Sequence, residues 1–335
     1  MLPVPRQDAQ PYVLNVHPPL THHPPACYHS LVKLSRVVLV LLLILIIAGV
    51  AYVYYPPFRV FLWVAAGRSP VCPLDAALKA RDNLKRQVEY KDQILNASKL
   101  LQEDPKGYEL WETPKGRYWV PAGSRYVLPF NLAEQQRKIY GDGEFGPHAG
   151  DITLDCGANI GVTVHEELLA GAKTIVAIEP APENLECLRR NYPAEIASHR
   201  VIVVPKGVWD AEDFLTLRVD PKNSAADSFV IQREGAVELQ RVPLTTIDKL
   251  VADLKLERVD YMKFDIEGAE PRALAGARET LAKFKPRISI AAYHQPDHPK
   301  VIPEIIRTAR PDYRMQCGPC AETEYSVRPD VLYFK

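Results

Sequence analysis

The stretch Asp151–Leu169, DITLDCGANIGVTVHEELL, decides the fold of this chain. ITLDC is short and largely apolar, as a buried strand requires. GANIG follows with Gly157 and Gly161, and VTVHEELL resumes at helical spacing. Strand, glycine loop, helix is the opening unit of a doubly wound α/β sheet. The loop then sits at the carboxyl end of the first strand, where such sheets bind ligands. TIVAIEP, Thr174–Pro180, reads as a second strand ending in Glu179. A carboxylate at that point accepts hydrogen bonds from both hydroxyls of a ribose. The two segments together predict a nucleoside site.

Two nucleoside cofactors compete for it. A dinucleotide brings a pyrophosphate and favours G-x-G-x-x-G. The loop here is one glycine short of that pattern, and the anionic Asp155 stands just ahead of it. S-adenosylmethionine carries an ammonium and a sulfonium, which an acid beside the loop attracts. The residues therefore point to S-adenosylmethionine. A P-loop is excluded because no G-K-[ST] follows.

Outward from this unit, strands and helices alternate. Strands are predicted near 152–156, 174–179, 201–205, 259–265 and 287–293. Helices are predicted near 160–170, 182–191, 245–254 and 270–283. Runs such as TIVAIE, VIVV and RISIAA are continuously apolar, as parallel strands covered on both faces are. The alternation implies a doubly wound, Rossmann-like sheet. The polar segment 220–235, DPKNSAADSFVIQREG, is inserted after the third strand and is expected to line an acceptor pocket. Upstream, 107–123 reads as a hairpin turning at Pro114-Lys115-Gly116, followed by a helix over 131–141.

The chain has 335 residues, with 41 Lys plus Arg and 41 Asp plus Glu. A net charge of zero gives no electrostatic reason to bind nucleic acid, and no such partner is expected. Residues 1–32 hold seven prolines and four histidines and read as a disordered tail. Residues 33–57 read as a transmembrane anchor. Its core, Val37–Tyr55, is uncharged, spans about 28 Å as a helix, and matches a bilayer's hydrocarbon thickness. Tyr52, Tyr54 and Tyr55 suit an interfacial belt. Lys33 and Arg36 lie closer to the span than Arg59 and Arg68, which tips the N-terminus towards the cytosol. The sequon Asn96-Ala97-Ser98 agrees with that orientation. Residues 58–104 read as a stalk or linker, with a helix over 74–103 packing on the domain at 105–335.

The blocks DCGANIG, AIEPAPENLECLRRN, LTTIDKL, MKFDIEGAEPRALAGA and ISIAAYHQPD occur in order. They resemble the FkbM family of S-adenosylmethionine-dependent methyltransferases over about 105–335. The resemblance implies a class I methyltransferase fold of seven strands, the last, here DVLYF, running antiparallel. It also implies methylation of hydroxyl oxygens. Carried over, Asp155, Gly157, Ala158, Asn159 and Gly161 surround the methionine part of the cofactor and Glu179 binds the ribose. Lys206, Gly207 and Val208 line the adenine, and Glu134 closes over the cofactor. Where the family carries an acid near the end of the fifth strand, this chain has Tyr293 and His294.

Methyl transfer needs alignment of donor and acceptor and removal of a proton. Asp265, at the end of the fourth strand, and His294 are the candidate bases, with Glu267 as an accompanying loop acid. Glu270, ahead of Pro271 at a helix start, reads as structural. A divalent cation on Asp265, Glu267, His294 and His298 is the alternative. The prolines of HQPDH disfavour the helix that would align its histidines, so no metal is expected. CGPC, Cys317–Cys320, reads as a turn carrying two thiols, or as a disulfide; its context opposes thioredoxin-like chemistry. The sequence thus predicts a membrane-anchored methyltransferase acting on a hydroxyl of a glycan or small metabolite. The alternatives are a protein or lipid methyltransferase, or a non-catalytic membrane-tethered binding protein of the same fold.

Overall fold

The computed structural model describes residues 26–220 and 223–335. It divides into two compact units at Pro56/Pro57. In the first, α1 (Ala26–Tyr54) is one continuous helix. Its segment Arg36–Tyr54 has 19 residues, a mean hydropathy of 3.0 and no buried share. It is long and apolar enough to cross a membrane. The helix starts at Ala26, inside the expected tail; the rest of that tail lies outside the described residues.

The second unit begins at Pro57, so segment 58–104 belongs to it rather than linking to it. α2 (Pro56–Ala65), α3 (Leu74–Leu78) and α4 (Ala80–Ala97) replace the single predicted helix. That helix was expected to run to Glu103. Instead β1 (Lys99–Asp104) pairs antiparallel with β2 (Tyr108–Thr113). Sheet pairing overrides the helical leucine spacing here, because propensity is the weaker term. β2 and β3 (Gly116–Pro121) form the predicted hairpin. The Thr113 hydroxyl fixes its turn, accepting from the Lys115 N–H at 3.1 Å and donating to the Gly116 carbonyl at 2.8 Å. α5 (Val127–Gln136) starts and ends earlier than predicted. Lys138 and Gly141 already have positive φ, which stops the helix.

The central unit runs β4 (Ile152–Cys156), α6 (Val162–Leu169), β5 (Thr174–Ile178), α7 (Pro182–Asn191), α8 (Pro193–Ala197) and β6 (Val201–Val204). β7 (Gly207–Val208), β8 (Phe214–Val219) and β9 (Val237–Thr245) form a small side sheet that the sequence did not signal. α9 (Ile247–Asp253), β10 (Tyr261–Phe264), α10 (Glu270–Ala275), α11 (Arg278–Phe284), β11 (Arg287–Ala291) and α12 (His298–Ala309) follow. The predicted helix 270–283 breaks at Gly276. A Cβ there would lie 2.1 Å from the Trp209 carbonyl oxygen, so the side sheet wedges the two halves apart. The chain ends in β12 (Met315–Cys317), β13 (Cys320–Glu322), β14 (Val327–Pro329) and β15 (Val331–Phe334).

The seven-stranded sheet has the order β12-β15-β11-β10-β4-β5-β6. β4 pairs parallel with β5 and β10, and β15 runs antiparallel to β11 and β12. The chain leaves the centre through β5 and β6 and returns at β10 beside β4. That reversal opens a crevice at the carboxyl ends of β4 and β10, where ligands bind in open α/β sheets. Tyr261, Phe264 and Phe334 are fully buried in the sheet. Truncating a ring such as Phe264 would cost about 3–5 kcal/mol.

A disulfide joins Cys72, ahead of α3, to Cys320 in β13, 248 residues away. Gly318-Pro319 does separate two cysteines, yet Cys320 is bridged and Cys317 is free. The sequence drew attention to the near neighbour, whereas folding brings up the distant one. Around the bridge Val60, Trp63, Ala77, Ala80 and Val327 form a buried cluster. Cys72→Ser should therefore lower stability by about 2–4 kcal/mol, mainly by freeing the unfolded chain. Denaturant unfolding under oxidising conditions reads this. A midpoint equal to that of the unaltered protein would mean that the apolar cluster alone secures the segment.

Candidate active site

The glycine loop after β4 is held from below and from the side. Gly157 has φ +83°, and a Cβ on it would stand 1.9 Å from the Asp265 carbonyl oxygen. Only glycine lets the ends of β4 and β10 approach so closely. The N–H groups of Gly157 and Ala158 both donate to the Ile178 carbonyl at 3.0 Å. Lys263 donates to the Gly157 carbonyl at 2.8 Å and pairs with Asp155 at 3.1 Å. Burial opposes the charge of Lys263, but Asp155 and Asp265 outweigh it and hold its pKa above the usual value.

This geometry corrects the reading of two loop residues. Asp155 is fully buried and turns to Lys263, away from the cavity. Its attraction for a ligand ammonium is spent on the lysine. Gly161 faces Tyr192 and Leu188, where a Cβ would lie 2.3 Å from the Tyr192 ring. It serves close packing of α6.

Glu179, at the end of β5, accepts from the Asn159 N–H at 2.9 Å and the Ala181 N–H at 2.8 Å. Burial pushes its carboxyl up to about 7, against those two hydrogen bonds. The Asn159 side-chain amide donates to the Ser224 carbonyl at 2.9 Å, as does that of Asn184. Segment 223–235 thus crosses the Glu179 end of the cavity before reaching the acids beyond, and is not confined to an acceptor pocket.

At those acids, the Tyr140 hydroxyl donates to Asp265 Oδ2 at 2.7 Å. Arg233 binds Glu267 Oε2 at 2.5 Å. His294 Nδ1 meets Glu270 Oε1 at 2.8 Å, while its Nε2 lies 3.5 Å from both Asp265 Oδ1 and Glu267 Oε1. Glu270 is fully buried and also accepts the N–H groups of Ile266 and Gly268, at 3.0 and 3.1 Å. Burial disfavours charge on His294, but Glu270 and Glu267 prevail and raise its pKa well above the usual value. His298 stands behind, 3.5 Å from Glu270 Oε2.

One cavity of about 790 Å³ collects Gly157, Ala158, Asn159, Glu179, Lys206, Gly207, Val208, Glu134, Asp265, Glu267 and His294. Burial and the charge of Asp265 raise the pKa of Glu134. Sequence reasoning missed Tyr140, Asn184, Arg233 and Lys263, which fix the acids and the loop. Lys263 had a legible signal: a lysine within the buried strand YMKF demands a partner.

The strand order, with its antiparallel last strand, and a nucleoside-sized cavity at the switch point define a class I methyltransferase architecture. Residues 155–315 match the family model described as the Methyltransferase FkbM domain. The chain carries an FkbM methyltransferase domain. No curated protein matches it. Among solved structures, it is similar to the methyltransferase FkbM from Methylobacillus flagellatus KT, at 20% identity and a TM-score of 0.43. That match covers 77% of this chain and 60% of the other, so the chain spans less than two thirds of that protein. It is also similar to M. jannaschii TYW2 in complex with AdoMet, at 13% identity and a TM-score of 0.36, covering 70% of this chain and 86% of that one.

The buried pair gives a sharp expectation. Lys263→Met leaves Asp155 without its counter-charge and should cost about 3–5 kcal/mol, whereas Asp155→Asn with Lys263→Met should recover much of it. Thermal unfolding of both variants checks this. Equal losses would show that the pair does not act as a unit.

Proposed function

We propose that this protein is a membrane-anchored, S-adenosylmethionine-dependent methyltransferase acting on a hydroxyl oxygen of a glycan or small metabolite. One observation carries the reading: a single cavity at the switch point joins the Gly157–Asn159 loop and Glu179 to Asp265. Glu179 would hold the cofactor's ribose, Lys206–Val208 its adenine and the glycine loop its methionine part, with Asp265 lining the same cavity.

When bound, S-adenosylmethionine would supply an electrophilic methyl group for in-line displacement by the acceptor oxygen, its sulfur keeping the electron pair of the broken carbon–sulfur bond. Asp265 accepts the hydroxyl proton as transfer proceeds, since an alcohol is too weak an acid to lose it beforehand. Tyr140 fixes the carboxylate that does this. Glu134 and Gln135 on α5 close the cofactor side.

The Cys72–Cys320 disulfide supports a domain outside the cytosol, because such bridges persist in oxidising compartments. This agrees with a cytosolic N-terminus and with α1 lying in a bilayer. A domain so placed needs its cofactor delivered to that side.

Titrating S-adenosylmethionine calorimetrically into the detergent-solubilised chain tests the cofactor. Glu179→Gln should weaken binding by roughly 1.5–3 kcal/mol, the value of hydrogen bonds to a charged group. A group with a pKa of about 7 also predicts a pH dependence. The ionised form accepts the ribose hydroxyls better, so affinity should rise as pH increases through about 7, and Glu179→Gln should flatten the profile. No binding by folded protein would sink the reading. Asp265→Asn should keep cofactor affinity and lower turnover by 10²–10⁴-fold, the usual share of a general base. Undiminished turnover would remove Asp265 from the proton transfer.

A further inference from the structure

The cluster at the end of β10 contains a built arrangement of inward-facing atoms. Each of three side chains has one polar atom pinned from outside and one turned inward. Asp265 is held through Oδ2 by the Tyr140 hydroxyl at 2.7 Å. Glu267 is held through Oε2 by Arg233 at 2.5 Å. His294 is held through Nδ1 by Glu270 at 2.8 Å. The remaining atoms, Asp265 Oδ1, Glu267 Oε1 and His294 Nε2, converge, with both oxygens 3.5 Å from the nitrogen.

Those contacts are too long for good hydrogen bonds. Nε2 and Asp265 Oδ1 are buried and have no hydrogen-bond partner among the described residues. The His294 side chain is 2% exposed, so water does not relieve it. Adjacent ligands about 2.1 Å from a common ion stand roughly 3.0–3.4 Å apart, which the 3.5 Å contacts approach. The charges point the same way: three carboxylates, of Asp265, Glu267 and Glu270, face the guanidinium of Arg233 and the ammonium of Lys263, which already pairs with Asp155. A proton on His294 is one answer to that excess, and a divalent cation is the other.

We infer that Asp265, Glu267 and His294 bind a divalent metal ion, with Glu270 orienting the imidazole. The sequence led to the opposite expectation, that no metal takes part. That expectation rested on prolines preventing two histidines from aligning on a helix. The histidines do not align: His294 precedes α12, and His298 stands behind Glu270. The site needs only the first of them. Carboxylate, histidine and metal in line is the usual outer support of a metal-bound imidazole. Two oxygens and one nitrogen suit ions of the Mn²⁺ class. Glu267 adopts φ +54°, a left-handed conformation that is costly for a residue with a side chain, which aims its carboxylate at the cluster. Asp265 and Glu267 still line the cavity, so an acceptor hydroxyl can complete the coordination. The inference deepens the proposed function and rests on it: the ion would polarise the hydroxyl that Asp265 alone otherwise serves.

Mn²⁺ titration of the full chain, stripped with chelator and held in detergent, tests this by electron paramagnetic resonance of free Mn²⁺. One site per chain is expected, with nitrogen hyperfine coupling from a bound imidazole in the pulsed spectrum. Asp265→Asn and His294→Ala should each weaken it at least tenfold. Glu270→Gln, a positioning change, should weaken it 10–100-fold. S-adenosylmethionine titration of the same samples separates the two readings. Cofactor binding without Mn²⁺ binding overturns the metal site and leaves the methyltransferase. Mn²⁺ binding that lacks nitrogen coupling, or survives both ligand changes, places the ion elsewhere and equally overturns it. Mn²⁺ binding as expected without cofactor binding supports the site while removing the proposed function.

Discussion

The close approach of Gly157 to the Asp265 carbonyl is the contact on which the rest of the site depends. A methyl group at Gly157 would overlap that oxygen, at 1.9 Å. The contact ties the glycine loop to Asp265, and both line one cavity. It also places Lys263, two residues before Asp265, beneath the loop, where its ammonium binds the Gly157 carbonyl and Asp155. Asp265 directly follows β10, two residues after Lys263, and both line the cavity. Moving either strand end by an ångström would change both halves of the site together.

The segment between α1 and the sheet is part of the domain. α4 packs on α5, with Gln87 donating to the Phe130 carbonyl at 3.0 Å and accepting from Arg137 at 2.8 Å. Lys91 on α4 lines the cavity wall. The Cys72–Cys320 bridge and its apolar cluster fasten the same segment to the C-terminal hairpin. Residues close to the apolar helix in sequence therefore shape the site directly.

The charges at Asp265 follow from burial. Three carboxylates and an imidazole share a space with little water, so each needs a dedicated outer partner. Tyr140, Arg233 and two backbone N–H groups supply them. The inward-facing atoms are what remains for chemistry. Burial likewise brings Glu179 to about 7, which makes that end of the cavity sensitive near neutral pH.

The sequence by itself determined the local events. Apolar runs bounded by glycine and proline located β4, β5, β6, β10 and β11 within a few residues. The ends of strands located Asp265 and Glu179, since strand direction fixes which end meets the ligand. An uncharged run marked the apolar helix. What the sequence left open depended on distant contacts. Whether Asp155 faces a ligand or Lys263 is decided by the register of β4 against β10. Whether Cys320 bridges Cys317 or Cys72 is decided by where α3 docks. Lys99–Asp104 became a strand because β2 offered an edge, and helix 270–283 broke because Trp209 stands against Gly276. Tyr140 and Arg233 come to the acids from separate parts of the chain. Short-range spacing encodes which element forms. Pairing across the fold decides which atom each side chain meets.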